Sequence, residues 1–246
     1  MTATTICFDF GNTLLKYGVF ENEQLTKVEN LQNDQPETIS AVLQKYKPAR
    51  TILSSVIYHN PEIEKELAKE SSFLKLDATV RLPFTTPASK PETIGADRLA
   101  LAAYASFFYK NQNTLVIALG SCITYNFINK YHSFIGGSIS PGMQMRFKAL
   151  HDLTAKLPIV EADWNFPLIG YDTRTNILSG VLQGMAAEID GIIDEYKTKF
   201  EKFNVLLTGG DTVNFVRHLK NKIFADPWLI LKGLNAISKY NEHIKN

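Results

Sequence analysis

Short apolar runs closed by glycine and small hydroxyl residues alternate along this chain with longer stretches whose apolar residues recur at helical spacing. Thr5-Ile6-Cys7-Phe8 is apolar and partly β-branched, which predicts a buried strand. It runs into Asp9-Phe10-Gly11-Asn12-Thr13, and Leu14 to Phe20 reads as the returning arm. The pattern returns at mid-chain, where Leu115 to Leu119 leads into Gly120-Ser121-Cys122 and then into strands at Ile123–Asn129 and Phe134–Ile139. Ile39 to Tyr46 and Pro61 to Glu70 read as helices, the second with proline at its start, and Thr51 to Val56 as a strand. The proline-rich stretch Leu82 to Pro91 is expected to be irregular. Ala96 to about Tyr109 is apolar almost all round and predicts a buried helix.

Met143 to Thr154 reads as a helix, and Thr175 to Tyr196 as the longest one, with Ile177, Val181, Met185, Ile189 and Ile192 on one face. Val205-Leu206-Leu207 reads as a strand entering Thr208-Gly209-Gly210-Asp211, with a helix from Thr212 to Leu219 and two further segments, Phe224–Ile230 and Leu231–Tyr240, closing the chain. The polar break Lys110-Asn111-Gln112-Asn113 separates two blocks that each open with a β-meander. The expectation is an α/β protein with mixed sheets in two lobes, residues 1–112 and 113–246.

Composition narrows the function. The chain has 246 residues, 45% of them hydrophobic, enough for a real core. Its 26 basic and 25 acidic residues give no field for nucleic acid or a membrane surface, and no basic cluster is interleaved with aromatics. The start lacks a charged segment followed by an apolar one, so no signal peptide is expected, and no apolar run reaches bilayer length. Cys7 and Cys122 lie in or beside apolar runs and read as small hydrophobes of a reducing, cytoplasmic setting. The five histidines show no metal-ligand spacing.

Five segments could carry chemistry. In the two strand–turn units, glycine lets the backbone approach an oxyanion, and neighbouring N–H and hydroxyl groups can bind it. Two such turns suit the two halves of a site gripping a polyphosphate, as in a nucleotide-using phosphotransferase. Asp9 could orient a metal-bound or water-bridged phosphate, although aspartate beside glycine is common in plain turns. Lys16 could reach a phosphate, although most lysines are simply solvated. Gly95-Ala96-Asp97-Arg98 opens a helix whose first N–H groups attract anions. Asp97 there could be only a dipole partner, but Arg98 at the mouth of a buried helix requires an anion, and the pair suits a negatively charged substrate bearing a hydroxyl. Gly136-Gly137-Ser138-Ile139-Ser140-Pro141-Gly142 and Thr208-Gly209-Gly210-Asp211, taken singly, are turn chemistry. They could also let a base or ribose lie against the backbone.

Taken in order, these segments resemble the type III pantothenate kinases, members of the actin, hexokinase and heat-shock ATPase superfamily built from two ribonuclease-H-like lobes. The matching pieces also include Ser54-Ser55-Val56, Pro91, Thr154-Ala155-Lys156-Leu157-Pro158, Thr173 and Ser179-Gly180, and they cover most of the chain. The resemblance implies transfer of phosphate from ATP, with Mg²⁺, to pantothenate, the first step towards coenzyme A. It implies that Asp9, Gly11, Asn12, Thr13 and Lys16 hold the ATP phosphates with Gly120 and Ser121, and that Gly209 and Gly210 serve the nucleotide. It further implies that Asp97 is the proton acceptor, that Gly95, Ala96, Asp97 and Arg98 contact pantothenate, and that Thr173 reaches it from the partner of a homodimer.

Three positions depart from the family pattern. Ala118 stands where the family has an aspartate that holds a monovalent cation such as potassium or ammonium, and Asn126 replaces a later acidic position of the same hairpin. Ala88 replaces a tyrosine that lines the substrate site. The alternatives to an active pantothenate kinase are a nucleotide-binding regulatory relative, of the kind described as accessory to transcription, and a kinase of another small molecule. Retained Asp9, Asp97 and Arg98 favour the active enzyme.

Overall fold

The computed structural model describes residues 4–77, 79–86 and 93–242. Its first half runs β1 (Thr4–Phe10), β2 (Leu15–Glu21), β3 (Gln24–Asn30), α1 (Pro36–Tyr46), β4 (Arg50–Ser55), α2 (Glu62–Glu70), β5 (Ser72–Lys75) and α3 (Ala96–Phe108). The second runs β6 (Thr114–Leu119), β7 (Cys122–Ile128), β8 (Phe134–Pro141), α4 (Met143–Asp152), α5 (Thr173–Leu178), a π turn (Ser179–Gln183), α6 (Gly184–Lys199), β9 (Asn204–Thr208), α7 (Thr212–Phe215), β10 (Phe224–Ala225) and α8 (Leu229–Glu242). Two five-stranded sheets result, ordered β3-β2-β1-β4-β5 and β8-β7-β6-β9-β10. The same strand order in both is the ribonuclease-H-like plan that the family resemblance implies.

In the first sheet β1 pairs antiparallel with β2 and parallel with β4, which is the mixed character that a hairpin followed by a helical crossover produces. Ile6, Phe8 and Phe10 pack with Ile39, Val42 and Leu43 of α1 and Ile63 and Leu67 of α2. Alternation turns Thr5, Cys7 and Asp9 to the opposite face. The core of the second unit gathers Leu115, Ile117 and Leu119 of β6 with Leu178, Leu182, Met185 and Ile189 along the α5–α6 path.

The compact units interleave in sequence: one comprises Met1–Asn111, Ile128–Gly136 and Trp228–Asn246, the other Gln112–Phe127 and Gly137–Pro227. A single break after residue 112 was expected, but α8 packs on α3, β1 and β4 of the first unit. Gly233 of α8 lies so close to the Ala100 carbonyl of α3 that a side chain there has no room. Several other elements differ from expectation. The polar edge strand β3 and the short β5 carry too few apolar residues to announce themselves. The helix expected over Thr175 to Tyr196 starts at Thr173 and is interrupted by the π turn. The helix expected from Thr212 to Leu219 ends at Phe215. Ala88 and Pro91 lie outside the described residues.

Candidate active site

The first cluster lies at the end of β1. Asp9 is buried and held between neighbours set by strand register: Lys16 lies opposite on β2, its Nζ 3.1 Å from Asp9 Oδ2, and Ser54 lies beside it on β4. The Ser54 hydroxyl is fully buried and has no hydrogen-bond partner among the described residues. Burial pushes the Asp9 carboxyl above its ordinary range, while the Lys16 ammonium pulls it back. The turn that follows is tight, with Gly11 N–H donating to Leu14 O at 3.1 Å, and it leaves Asn12 and Thr13 exposed.

Asp97 occupies the first turn of α3. Its carboxylate folds back over Gly95, where a Cβ would fall 2.6 Å from Oδ1, so glycine makes room for it. Burial raises its proton affinity, the backbone N–H of Arg98 donates to the carboxylate and lowers it, and the negative charge of Asp9 raises it again. Asp9 and Asp97 therefore share one local field. A carboxylate with raised proton affinity, anchored at a helix start, is suited to accept a proton from a substrate hydroxyl.

The second cluster joins three turns at one end of the other sheet. Gly120 N–H donates to Cys122 O at 3.1 Å, and Gly142 N–H donates to Ser121 O at 3.0 Å. Gly142 lies against the Gly120 carbonyl with no space for a side chain. Gly209, at φ +98°, lies against the Leu119 carbonyl, which also accepts from Asp211 N–H at 3.2 Å. The left-handed backbone and the close approach both require glycine there. Thr208 and Thr212, flanking this turn, carry buried hydroxyls without hydrogen-bond partners among the described residues. Burial raises the Asp211 carboxyl above its ordinary range.

The sequence profile of the type III pantothenate kinases matches residues 5–195. This chain belongs to that family. A type III pantothenate kinase from Christiangramia forsetii is 41% identical over 239 residues, covering 96% of this chain and 98% of the relative. Among solved structures, a conserved Baf family protein from Campylobacter jejuni, described as a transcriptional activator, shares the fold with a TM-score of 0.63 at 20% identity, covering 97% of this chain and 99% of its own. A ROK family glucokinase from Streptomyces griseus, solved with glucose and AMPPNP, shares it with a TM-score of 0.52 at 11% identity, covering 97% and 99%. The architecture is thus that of the actin and hexokinase class, and membership of the family makes the protein a kinase.

Among the residues expected at the site, Asp9, Gly11, Lys16, Gly95, Ala96, Asp97 and Arg98 lie within the first unit, and Gly120, Ser121, Gly209 and Gly210 within the second. Lys16 pairs with Asp9, its cross-strand partner. Thr173 is exposed at the start of α5, where Asp172 and Thr175 form a capping box, and it lines a groove of about 850 Å³ with Arg146, Leu150, Leu153 and Asn176. In sequence Asn126 shows only the loss of an acid. Its amide Nδ2 is buried and donates to Val116 O at 3.2 Å and Thr124 Oγ1 at 3.0 Å. The unpaired hydroxyls of Ser54 and Thr208 and the wedge at Gly142 left no composition signal, because only strand register and turn packing create them.

Proposed function

We propose that the enzyme transfers the γ-phosphoryl group of ATP to the primary hydroxyl of pantothenate, giving ADP and 4′-phosphopantothenate. The observation that carries this reading is the Asp97 carboxylate, anchored at the start of α3 in the field of Asp9, with Arg98 next to it. Asp97 orients the hydroxyl and takes its proton as the oxygen attacks phosphorus and ADP departs. Arg98 meets the pantothenate carboxylate. Asn12, Thr13 and the Gly120-Ser121 turn hold phosphate oxygens, and the Gly209-Gly210 turn accommodates the nucleoside. Phosphoryl transfer depends mainly on positioning and charge stabilisation, so these parts suffice in kind. Asp9 and the unpaired Ser54 hydroxyl beside it form a hard oxygen donor pair that fits Mg²⁺ carried in with the phosphates. When bound, that ion offsets charge on the phosphoryl oxygens.

The residues do not fit a monovalent cation at the family's position. Ala118 offers no side-chain oxygen, and the buried Asn126 amide presents a donor to Val116 O and Thr124 Oγ1, oxygens a cation would otherwise compete for. No step is assigned to such an ion. A homodimer is supported by the exposed Leu153, which lines the Thr173 groove, and by the exposed Ile159, Leu168, Ile169 and Tyr171 on the chain between α4 and α5, apolar side chains fit for a second copy. A cytoplasmic location is supported by two unpaired cysteines. Among the described residues no helix is long and apolar enough to cross a membrane. The test of the reaction is ADP release with and without pantothenate. Pantothenate-dependent release is expected, and ATP binding without it would favour the regulatory alternative.

A further inference from the structure

We infer that a groove of about 700 Å³ beside β3 is a small-molecule site that takes an adenine-type base through the side-chain amide of Asn235. The groove lies wholly within the first compact unit and shares no residue with those assigned to phosphoryl transfer. Its origin is the way the helices cover the first sheet. α3 and α8 pack near the middle of that sheet, α8 on β1 and β4 and α3 on β4, whereas β3 is its edge. A space is left between the edge strand and the two helices. Phe20 of β2, Tyr104 of α3 and Asn235 of α8 are its buried part, and Leu25 of β3, Phe108 of α3 and Trp228 are its more exposed part. Tyr104 and Phe108 are four residues apart, on one face of α3.

Asn235 is the decisive residue. It is 8% exposed and stands among Leu231, Leu234, Ala236 and Ile237, all buried, where an apolar side chain would serve the packing. Its amide lines the groove and makes no hydrogen bond among the described residues. A buried amide left unpaired is costly, so its presence points to a partner that enters the groove. An amide offers a donor and an acceptor side by side, and the 6-amino group and adjacent ring nitrogen of adenine answer both at once. The walls suit a flat ring. Phe108 packs against Tyr104 with centroids 4.7 Å apart, yet is 59% exposed, which leaves aromatic surface for a base to stack on. The charges at the groove, Glu23, Lys27 and Lys232, are of mixed sign. Lys27 pairs with Glu29 at 2.6 Å and Glu23 with Lys239. With no strong field of either sign, a neutral base is favoured over an anion.

The experiment uses the full-length protein carrying Trp164→Phe, which leaves Trp228, a lining residue of the groove, as the sole tryptophan. Adenosine should quench Trp228 emission saturably, with Kd of about 0.1 mM, the scale for a ligand of that size. Purine riboside, the same ring without the 6-amino group, should bind about 5- to 150-fold more weakly. Asn235→Ala should weaken adenosine by that same factor and leave purine riboside within about twofold, a non-additivity that ties the amide to the 6-amino group. It should also leave kcat and KM for ATP within about twofold, and melt no lower than the wild type, because a merely structural amide would be missed and an unpaired one is not. No quench up to about 10 mM adenosine, equal binding of the two nucleosides, or a quench that Asn235→Ala does not move would each overturn the site. If Trp164→Phe does not fold, calorimetry on the unsubstituted chain decides. An adenosine titration that loses one site in Asn235→Ala supports the groove, and an unchanged titration overturns it.

Discussion

At the scale of single residues, Asp97 carries the heaviest assignment. A general base supplies roughly 10²–10⁴-fold in rate, so Asp97→Asn should lower kcat by about that factor and remove the acid limb of the wild-type kcat profile. That limb should lie above the ordinary aspartate range, since burial and Asp9 raise the Asp97 carboxyl. The stability consequence has the opposite sign. A carboxyl raised in the folded state binds its proton more tightly there than in the unfolded chain, so its contribution is full below the ordinary aspartate range and is lost as pH rises through the raised value. Asp97→Asn should therefore melt above the wild type at pH 7.5, the difference vanishing near pH 3. Equal melting curves at both pH values would mean that the local field is not felt. At Ala118 the expectation concerns ions. Activity in choline or sodium buffer should stay within about twofold when potassium is added at matched ionic strength. Strong, saturable potassium activation would show that a cation binds despite Ala118 and the Asn126 amide.

At the scale of elements, the placement of Asp97 depends on how α3 is seated. Gly233 lets α8 lie directly on the Ala100 carbonyl of α3, two residues past Arg98. Gly233→Ala must force the helices apart, and overpacking of this kind costs about 1–3 kcal/mol. Melting temperature should fall by roughly 2–4 °C for each kcal/mol in a chain of this length. The contrasting substitution is Gly191→Ala, exposed within α6, where an added Cβ meets nothing. That change should stabilise by about 0.5–1 kcal/mol through helix propensity alone. If both substitutions act alike, close packing of α8 on α3 is not what Gly233 provides. The sequence made α3 and α8 legible as helices through their apolar residues, but it did not pair them, because an apolar face does not name its partner. The π turn escaped notice for a related reason: Ile177, Val181, Met185 and Ile189 keep near-helical spacing across one extra residue.

At the scale of the whole molecule, the surface around Thr173 is the largest expectation left to association. Leu168, Ile169 and Tyr171 are each at least three-quarters exposed. Light scattering at micromolar concentration should give the mass of a dimer, and Ile169→Asp should shift it towards the monomer while lowering turnover, since Thr173 would then reach no partner's site. A fully active monomer would refute the shared site.

What the sequence determined by itself was the pair of meanders, the turns that close them and the order of motifs. Those signals are local: apolar alternation, glycine at turns, and an acid with an arginine at a helix start. From their order comes the resemblance to the family, and with it the two-lobe plan and the proposed site residues. Tertiary structure alone decided what lies across from what. Register put Lys16 and Ser54 on either side of Asp9, packing returned the last helix to the first unit, and that helix carried Asn235 to the groove beside β3. Each of these joins residues distant along the chain, and burial energy constrains only which faces are covered. The partners follow from strand register and from the space left where backbones touch.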